Sequence, residues 1–356
     1  MLRLTTLVAT AAVLTGTAVA GGDALDTPAR ASPLAQWRLI TSIAKAGDQA
    51  VIAVGQRGHV LRSVDGGKSW TQSKVPLSSD LTAVQFVDSH VGYAVGHDGV
   101  VLRSVDGGAS WVRVLDGRSA NRLLAEYMQK KLDAAGSQAD DSDRKLLEEA
   151  RRNVELGPDK PFLDVWFSSA DDGFVVGAYN LVFHTADGGK SWQPWFDRTD
   201  NPKLLNLYSI RPAHGTLYIA GEAGLLLKLD AAAQRFRALP RPYKGSYFGV
   251  MGTSAGVLAF GMRGNAFLSR DQGRHWSPVA TGLASSITAG DVGAGGSVVL
   301  VDQAGNLARS DDGGADFARL ALPAAVPLAA VAAVPGGAVA GGPRGLRTIA
   351  FGAHAR

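Results

Sequence analysis

An eight-residue pattern, Ser/Thr-x-Asp-x-Gly-x-x-Trp/Phe, recurs along this chain and limits its fold more than any other feature. It reads SVDGGKSW at 63–70, SVDGGASW at 104–111, TADGGKSW at 185–192, SRDQGRHW at 269–276 and SDDGGADF at 310–317. A sixth copy, LDAAAQRF at 229–236, has lost its glycines and carries Asp230 one place early, yet Phe236 keeps the aromatic position. Such self-similarity marks a repeat architecture. Ahead of the copies run an apolar segment, a two-residue turn, a glycine and a second apolar segment, as in VGQRGHVLRS and VGHDGVVLRS. The glycine of that turn, or its counterpart, falls at Gly58, Gly99, Asn180, Gly224, Gly264, Gly305 and Gly345, 40 to 44 residues apart except for one double-length interval of 81. Seven units of that length, in a chain with 44 glycines and seven tryptophans, predict an all-β fold, a seven-bladed β-propeller.

The eight-residue box has a mechanical reading. Its Asp can accept hydrogen bonds from backbone N–H groups of its own turn, Gly supplies left-handed backbone, and the aromatic starts the outer strand and packs at the blade edge. Asp65, Asp106, Asp187, Asp271 and Asp312 are then structural residues and not catalytic ones. The seventh unit stops at Phe351, where its box would begin. Trp37-Arg38-Leu39-Ile40 is therefore expected to supply the outstanding outer strand and close the ring, with Trp37 as the seventh equivalent aromatic. The double-length interval carries Leu123, Leu124, Tyr127, Met128 and Leu132, then Leu146, Leu147, Ala150 and Val154, at helical spacing around a polar stretch at 136–143. That predicts a helical hairpin, 118–157, inserted between blades 2 and 3.

Residues 1–20 read as a secretory signal: Arg3, an uncharged run from Leu4 to Val19, and Ala18-Val19-Ala20 as the cleavage site. A mature lead-in, 21–36, and the propeller, 37–356, follow. With no cysteine there is no lipobox, disulfide or thiolate metal site, and a soluble periplasmic protein without a membrane span is expected after cleavage. A net charge of +4 implies no nucleic-acid partner. No cofactor or metal is expected. GGKS at 66–69 and 188–191 lacks the earlier glycine of a P-loop, GTSAG at 252–256 lies between two strands, and the histidines form no short ligand pair.

In a propeller the box turns share one face, while the Gly-marked turns and blade connections share the other, which also receives the hairpin. The residues before the marks are Arg57, Asp98, Tyr179, Ala223, Arg263, Ala304 and Arg344, and neighbouring blades place Arg57 beside Arg344. Solvated turns and an anionic or protein-binding patch both fit. A second basic series, Arg62, Arg103, His184, Lys228 and Arg309, lies next to the boxes and is expected to form ion pairs between blades.

The blade V-G-x-x-G-x-V-L-R-S-x-D-G-G-x-S-W, followed over 37–352, resembles the Asp-box (BNR repeat) propellers typified by the photosystem II stability and assembly factor, a family with relatives in non-photosynthetic bacteria. The resemblance implies a seven-bladed, non-enzymatic scaffold of the lumen or periplasm that binds membrane-protein subunits during assembly through an arginine-rich patch. Arg57, Arg263 and Arg344 are the candidates for that patch. The implied partner is a membrane-protein subunit or another envelope complex, such as a transporter, and the scaffold is expected to be a monomer. The competing class is a sialidase-like glycoside hydrolase, which needs convergent carboxylates, an arginine triad and a Tyr nucleophile. Here Ser209-Ile210-Arg211-Pro212 is only a loose echo of a sialidase motif, and Asp98 and Glu222 are lone acids on the Gly-turn face.

Overall fold

The computed structural model describes residues 22–138, 140–322 and 324–351, so the signal segment at 1–20 lies outside the described residues. Seven antiparallel meanders follow one another around a central channel. Blade 1 comprises β1 (Ile40–Ala46), β2 (Ala50–Gly55), β3 (Val60–Ser63) and β4 (Thr71–Gln72); blade 2 comprises β5 (Leu81–Phe86), β6 (Gly92–Gly96), β7 (Val101–Ser104) and β8 (Val112–Leu115). Blades 3 to 6 repeat the plan with β9 to β12 (162–194), β13 to β16 (207–238), β17 to β20 (247–278) and β21 to β24 (287–320). Blade 7 has β25 (Ala330–Val334), β26 (Gly337–Gly342) and β27 (Gly345–Ala350).

The second strand of each blade is mostly apolar because both of its faces meet other blades. The core is accordingly a ring of clusters between blades: Ile52, Val54 and Val60 of blade 1 pack with Val84, Ala94 and Leu102 of blade 2. Between blades 2 and 3 stands a helical hairpin, α1 (Gly117–Ala135) and α2 (Asp141–Leu156), capped by the side chains of Asp116 and Asp140. Gly117 lies against the Gly99 turn, which fixes the hairpin to the Gly-turn face.

The expected closure by Trp37 is wrong. Ala35–Trp37 is a single turn of 3-10 helix and Trp37 is 58% exposed. A Cβ on Gly58 would collide with the carbonyl of Leu77, in the connector from blade 1 to blade 2, and a Cβ on Gly345 would collide with that of Gln36. Gln36 thus holds the place of Leu77 and Trp37 that of Ser78, so the segment is a blade-to-blade connector. Upstream of it the chain turns onto blade 1: the Ser32 N–H donates to Gln72 Oε1 (2.9 Å), the Ala29 N–H to the Val75 carbonyl (3.1 Å), and Leu25 is buried in the cluster between blades 1 and 2. Those contacts hold residues 25–32 on blade 1, while Ala35–Trp37 rests against the start of β27, where Ala35 packs near Leu346. Blade 7 therefore has three strands among the described residues, and Phe351 joins the cluster between blades 6 and 7.

Candidate functional site: the Gly-turn face

The residue ahead of each mark adopts left-handed backbone in five blades, with φ of 56° at Arg57, 57° at Asp98, 53° at Tyr179, 51° at Ala223 and 58° at Arg263. Side chains other than glycine visit that region only when neighbours hold them there. A repeated clamp does so. The N–H of Arg57 donates to Asp80 Oδ1 (2.7 Å), that of Tyr179 to Asn206 Oδ1 (2.9 Å), that of Ala223 to Ser246 Oγ (3.3 Å) and that of Arg263 to Ser286 Oγ (3.2 Å). Each acceptor sits in the following connector. The backbone is pinned while the side chain stays exposed.

Arg57, Arg263 and Arg344 are all exposed on this face. Blades 7 and 1 share the cluster of Ile40, Ala330 and Val339, so Arg57 and Arg344 stand on adjacent blades; Arg263, on blade 5, is set apart from them by blade 6. Other arginines do form ion pairs, as Arg118 at the hairpin base with Asp23 and Asp26, or Arg235 with Asp200 (2.7 Å). Beside Arg57, burial and the nearby guanidiniums of Arg57 and Arg38 hold the His59 imidazole below its usual range. The two lone acids are occupied: Asp98 accepts the Ser79 hydroxyl (2.6 Å), and Glu222 accepts the N–H of Asn206 (3.2 Å).

On the opposite face the box carboxylates are spent on their own turns. Asp65 accepts the N–H groups of Lys68 and Ser69 and the Ser69 hydroxyl (3.0, 2.9 and 2.5 Å). Asp106 and Asp187 accept from Ser110 and Ser191, Asp271 from His275, and Asp312 from Asp316. The hydroxyl and N–H of Ser191 bring the Asp187 carboxyl down to about 2, and similar donors hold the Asp65 and Asp271 carboxyls well below the usual range. Even the degenerate copy keeps one such bond, Ala233 N–H to Asp230 (3.1 Å).

The second basic series departs from its expected ion pairing for the same reason. With the box carboxylates taken, Arg62 Nε donates to the Gly107 carbonyl (2.9 Å) and Lys228 Nζ to Gln272 Oε1 (2.9 Å), each in the next blade's box. Arg103 Nε donates to the Tyr93 hydroxyl (3.0 Å), and only His184 and Arg309 meet carboxylates, those of Asp172 and Asp311.

The central channel, about 330 Å³, is lined in part by Thr41, Asp164, Tyr208, Arg211, Phe248 and Asp291. Buried Asp164 accepts the Ile210 N–H (2.8 Å) and pairs with Arg211, whereas Asp291 pairs with Lys45 (2.7 Å). Each carboxylate has its own cation, and one arginine lines the channel among the described residues. An arginine triad is not assembled there among the described residues.

The hairpin is tied to blade 3 by Tyr127 Oη donating to Asp197 (2.9 Å), and its two helices are held together by Asn121 Nδ2 donating to the carbonyls of Asn153 (2.9 Å) and Gly157 (3.1 Å). Leu123 and Leu124 pack against the cluster between blades 2 and 3, and Leu147 is buried. What remains exposed is Val154 and Leu156 on α2 and Tyr179 on the blade 3 turn. Helical spacing alone gave no signal for separating these from their buried neighbours.

A family model described as Photosynthesis system II assembly factor YCF48 matches residues 26–122 and 144–317. The Photosystem II assembly lipoprotein Ycf48 of Synechococcus sp. (strain CC9902) is 28% identical over 148 residues, 40% of this chain and 44% of that protein, so the match spans less than half of the relative's length. Among solved structures, a YCF48 bound to D1 peptide superposes with a TM-score of 0.63 at 14% identity, over 89% of this chain and 94% of the other. YCF48 from Cyanidioschyzon merolae gives 0.62 at 17% identity, over 89% and 97%. The WD40 propeller domain of Doa1 gives 0.61 at 11% identity, over 94% and 98%. At such identities these likenesses concern the propeller fold alone. No helix of the described residues is long and apolar enough to cross a membrane.

Proposed function

The chain belongs to the photosystem II assembly factor YCF48 family, and from that premise we propose that it is a non-enzymatic periplasmic scaffold, exported through residues 1–20, which holds a segment of a membrane-protein subunit on its Gly-turn face during assembly. The observation that carries this reading is the set of three exposed arginines, Arg57, Arg263 and Arg344, at equivalent turns of one face, with Arg57 and Arg344 on adjacent blades. Guanidiniums that make no ion pair among the described residues are available to carboxylates of a partner. The relative solved with a D1 peptide supports a polypeptide of a membrane complex as the class of partner. The separately neutralised carboxylates of the channel favour binding over hydrolysis.

Capture of solubilised envelope complexes by the tagged protein tests the proposal. Arg57→Glu with Arg344→Glu is expected to weaken capture by about tenfold, and added salt to mimic it. Replacing 118–157 by a short Gly linker should show whether the exposed Val154 and Leu156 contribute, because capture by the shortened ring as strong as by the intact chain excludes the hairpin. Sialoside and glucan hydrolysis should be blank; turnover abolished by Asp164→Asn would replace the scaffold reading with the hydrolase one. Light scattering should show a monomer.

A further inference from the structure

Blade 7 differs from its neighbours along one edge. In blades 1, 3, 4 and 5 the chain at or just after the fourth strand donates a backbone N–H to the third: Ser73 to Val60, Trp195 to Val182, Leu239 to Leu226 and Val279 to Ala266. Pairing with the second strand puts Leu346 where blade 1 has Val60, and Thr348 where it has Arg62. The Thr348 hydroxyl donates to the Gly67 carbonyl (3.1 Å) in the next blade's box, as Arg62 reaches Gly107. By the same alternation the backbone N–H and C=O of Leu346 and Thr348 point away from β26. Among the described residues no strand pairs with that side of β27.

A second observation concerns the same edge. Arg309 holds in blade 6 the place that Arg62 holds in blade 1, where Nε reaches a carbonyl of the following blade's box. Blade 7 has no box among its described residues, and among those residues Arg309 Nε is buried without an acceptor, its guanidinium resting 5.0 Å above the Phe351 ring and paired with Asp311. A buried unsatisfied donor is costly and marks a place where an acceptor fits. Charge also narrows the choice: residues 317–351 contain Arg319, Arg344 and Arg347 and no Asp or Glu.

We propose that the outer edge of β27 takes an extended, acidic peptide segment of a partner as the fourth strand of blade 7, antiparallel to β27, with an acceptor of that segment meeting Arg309 Nε. Exposed edges recruit strands through main-chain hydrogen bonds. A short segment suffices, since β4 has only two residues. Pairing with β27 of a second copy is disfavoured because it would set Arg344 and Arg347 against their own counterparts. The edge shares Arg344 with the Gly-turn patch, but its main-chain groups at Leu346 and Thr348 belong to β27 alone, so Thr348 and Arg57 variants tell the two sites apart.

The probe is a fluorescein-labelled peptide, Glu-Glu-Thr-Val-Thr-Val-Thr-Val-Glu-Glu, followed by fluorescence anisotropy with the full chain. Saturable binding is expected, together with slowed hydrogen exchange at the Thr348 amide. Thr348→Pro removes one outward N–H, a change that edge strands tolerate, together with the hydroxyl bond to Gly67 that Thr348→Val also removes, and should weaken binding about tenfold relative to Thr348→Val. Thr348→Val keeps the edge and should bind like the parent. If Thr348→Pro does not fold, the same peptide N-methylated at alternate residues replaces it and should bind about tenfold more weakly to the parent chain. Four results overturn the proposal: no binding; a Thr348 amide already protected in the protein alone, meaning that its own terminal residues cover the edge; a concentration-dependent dimer abolished by Thr348→Pro; or binding that survives Thr348→Pro and is lost in Arg57→Glu, which assigns the acid to the Gly-turn face.

Discussion

Blade 2 and blade 7 come from one repeat and end differently. In blade 2 the third strand runs into its box, Asp106 ties the turn, Gly108 packs on Ile52 of blade 1 and on Phe86 of its own blade, and Trp111, only 4% exposed, stands just before β8. In blade 7 the third strand runs out at Ala350, and the start of the chain crosses Gly345 as a connector. Both blades nevertheless have neighbours packed on both faces, through Val84 and Val95 in one and Val331 and Val339 in the other. Ring closure thus rests on three inner strands and the clusters between blades, while box and fourth strand finish an edge.

The largest expected effect separates the two aromatics. Trp111→Ala should destabilise the protein by about 3 to 5 kcal/mol in urea unfolding, because it empties a buried site between blades 1 and 2. Trp37→Ala should stay within about 0.5 kcal/mol, as an exposed connector residue does. Equal losses would restore Trp37 as a seventh edge aromatic and erase the contrast.

Next come the turns. A Cβ on Gly99, where φ is 62°, would lie 2.6 Å from Cα of Gly117 at the hairpin base, so Gly99→Ala should cost about 3 kcal/mol. Gly336, in the blade 7 turn between β25 and β26, has φ of 74° and open space around it, leaving only backbone strain of about 1 kcal/mol for Gly336→Ala. Thermal melts of the pair measure how much more tightly blade 2 is enclosed.

Asp106→Ala tests the box alone. It strips acceptors from the Ser110 N–H and hydroxyl and should cost about 1 to 3 kcal/mol, a loss for which the described part of blade 7 has no counterpart. The smallest effect is acid sensitivity. The native Asp187 carboxyl, at about 2 against an ordinary 3.8, holds its proton less tightly than in the unfolded chain. Its stabilising contribution is complete above the ordinary value and fades as pH falls towards 2. Asp187→Asn should therefore flatten the decline of melting temperature between pH 4 and 2; an unchanged decline would show that other carboxylates dominate it.

Much of this architecture was legible because its decisive contacts are local. Ser63, Asp65 and Ser69 bond one another within seven residues, so the sequence writes the turn in full, and the 40-residue period counts the blades. The hairpin was legible through its periodicity and its polar middle. The candidate arginines could be placed on one face from strand direction, though not paired with any partner.

The sequence by itself therefore determined the repeat, its turns, the inserted hairpin and the face on which each turn lies, all of which depend on residues close together in the chain. Only the tertiary structure decided that Trp37 bridges blades instead of starting a strand, that Arg62 meets a carbonyl instead of a carboxylate, and that Leu147 is covered while Leu156 is not. The physical reason is separation along the chain. Ser32 is drawn to Gln72, 40 residues away, and a tryptophan's composition carries no record of which distant edge has already taken the neighbouring backbone.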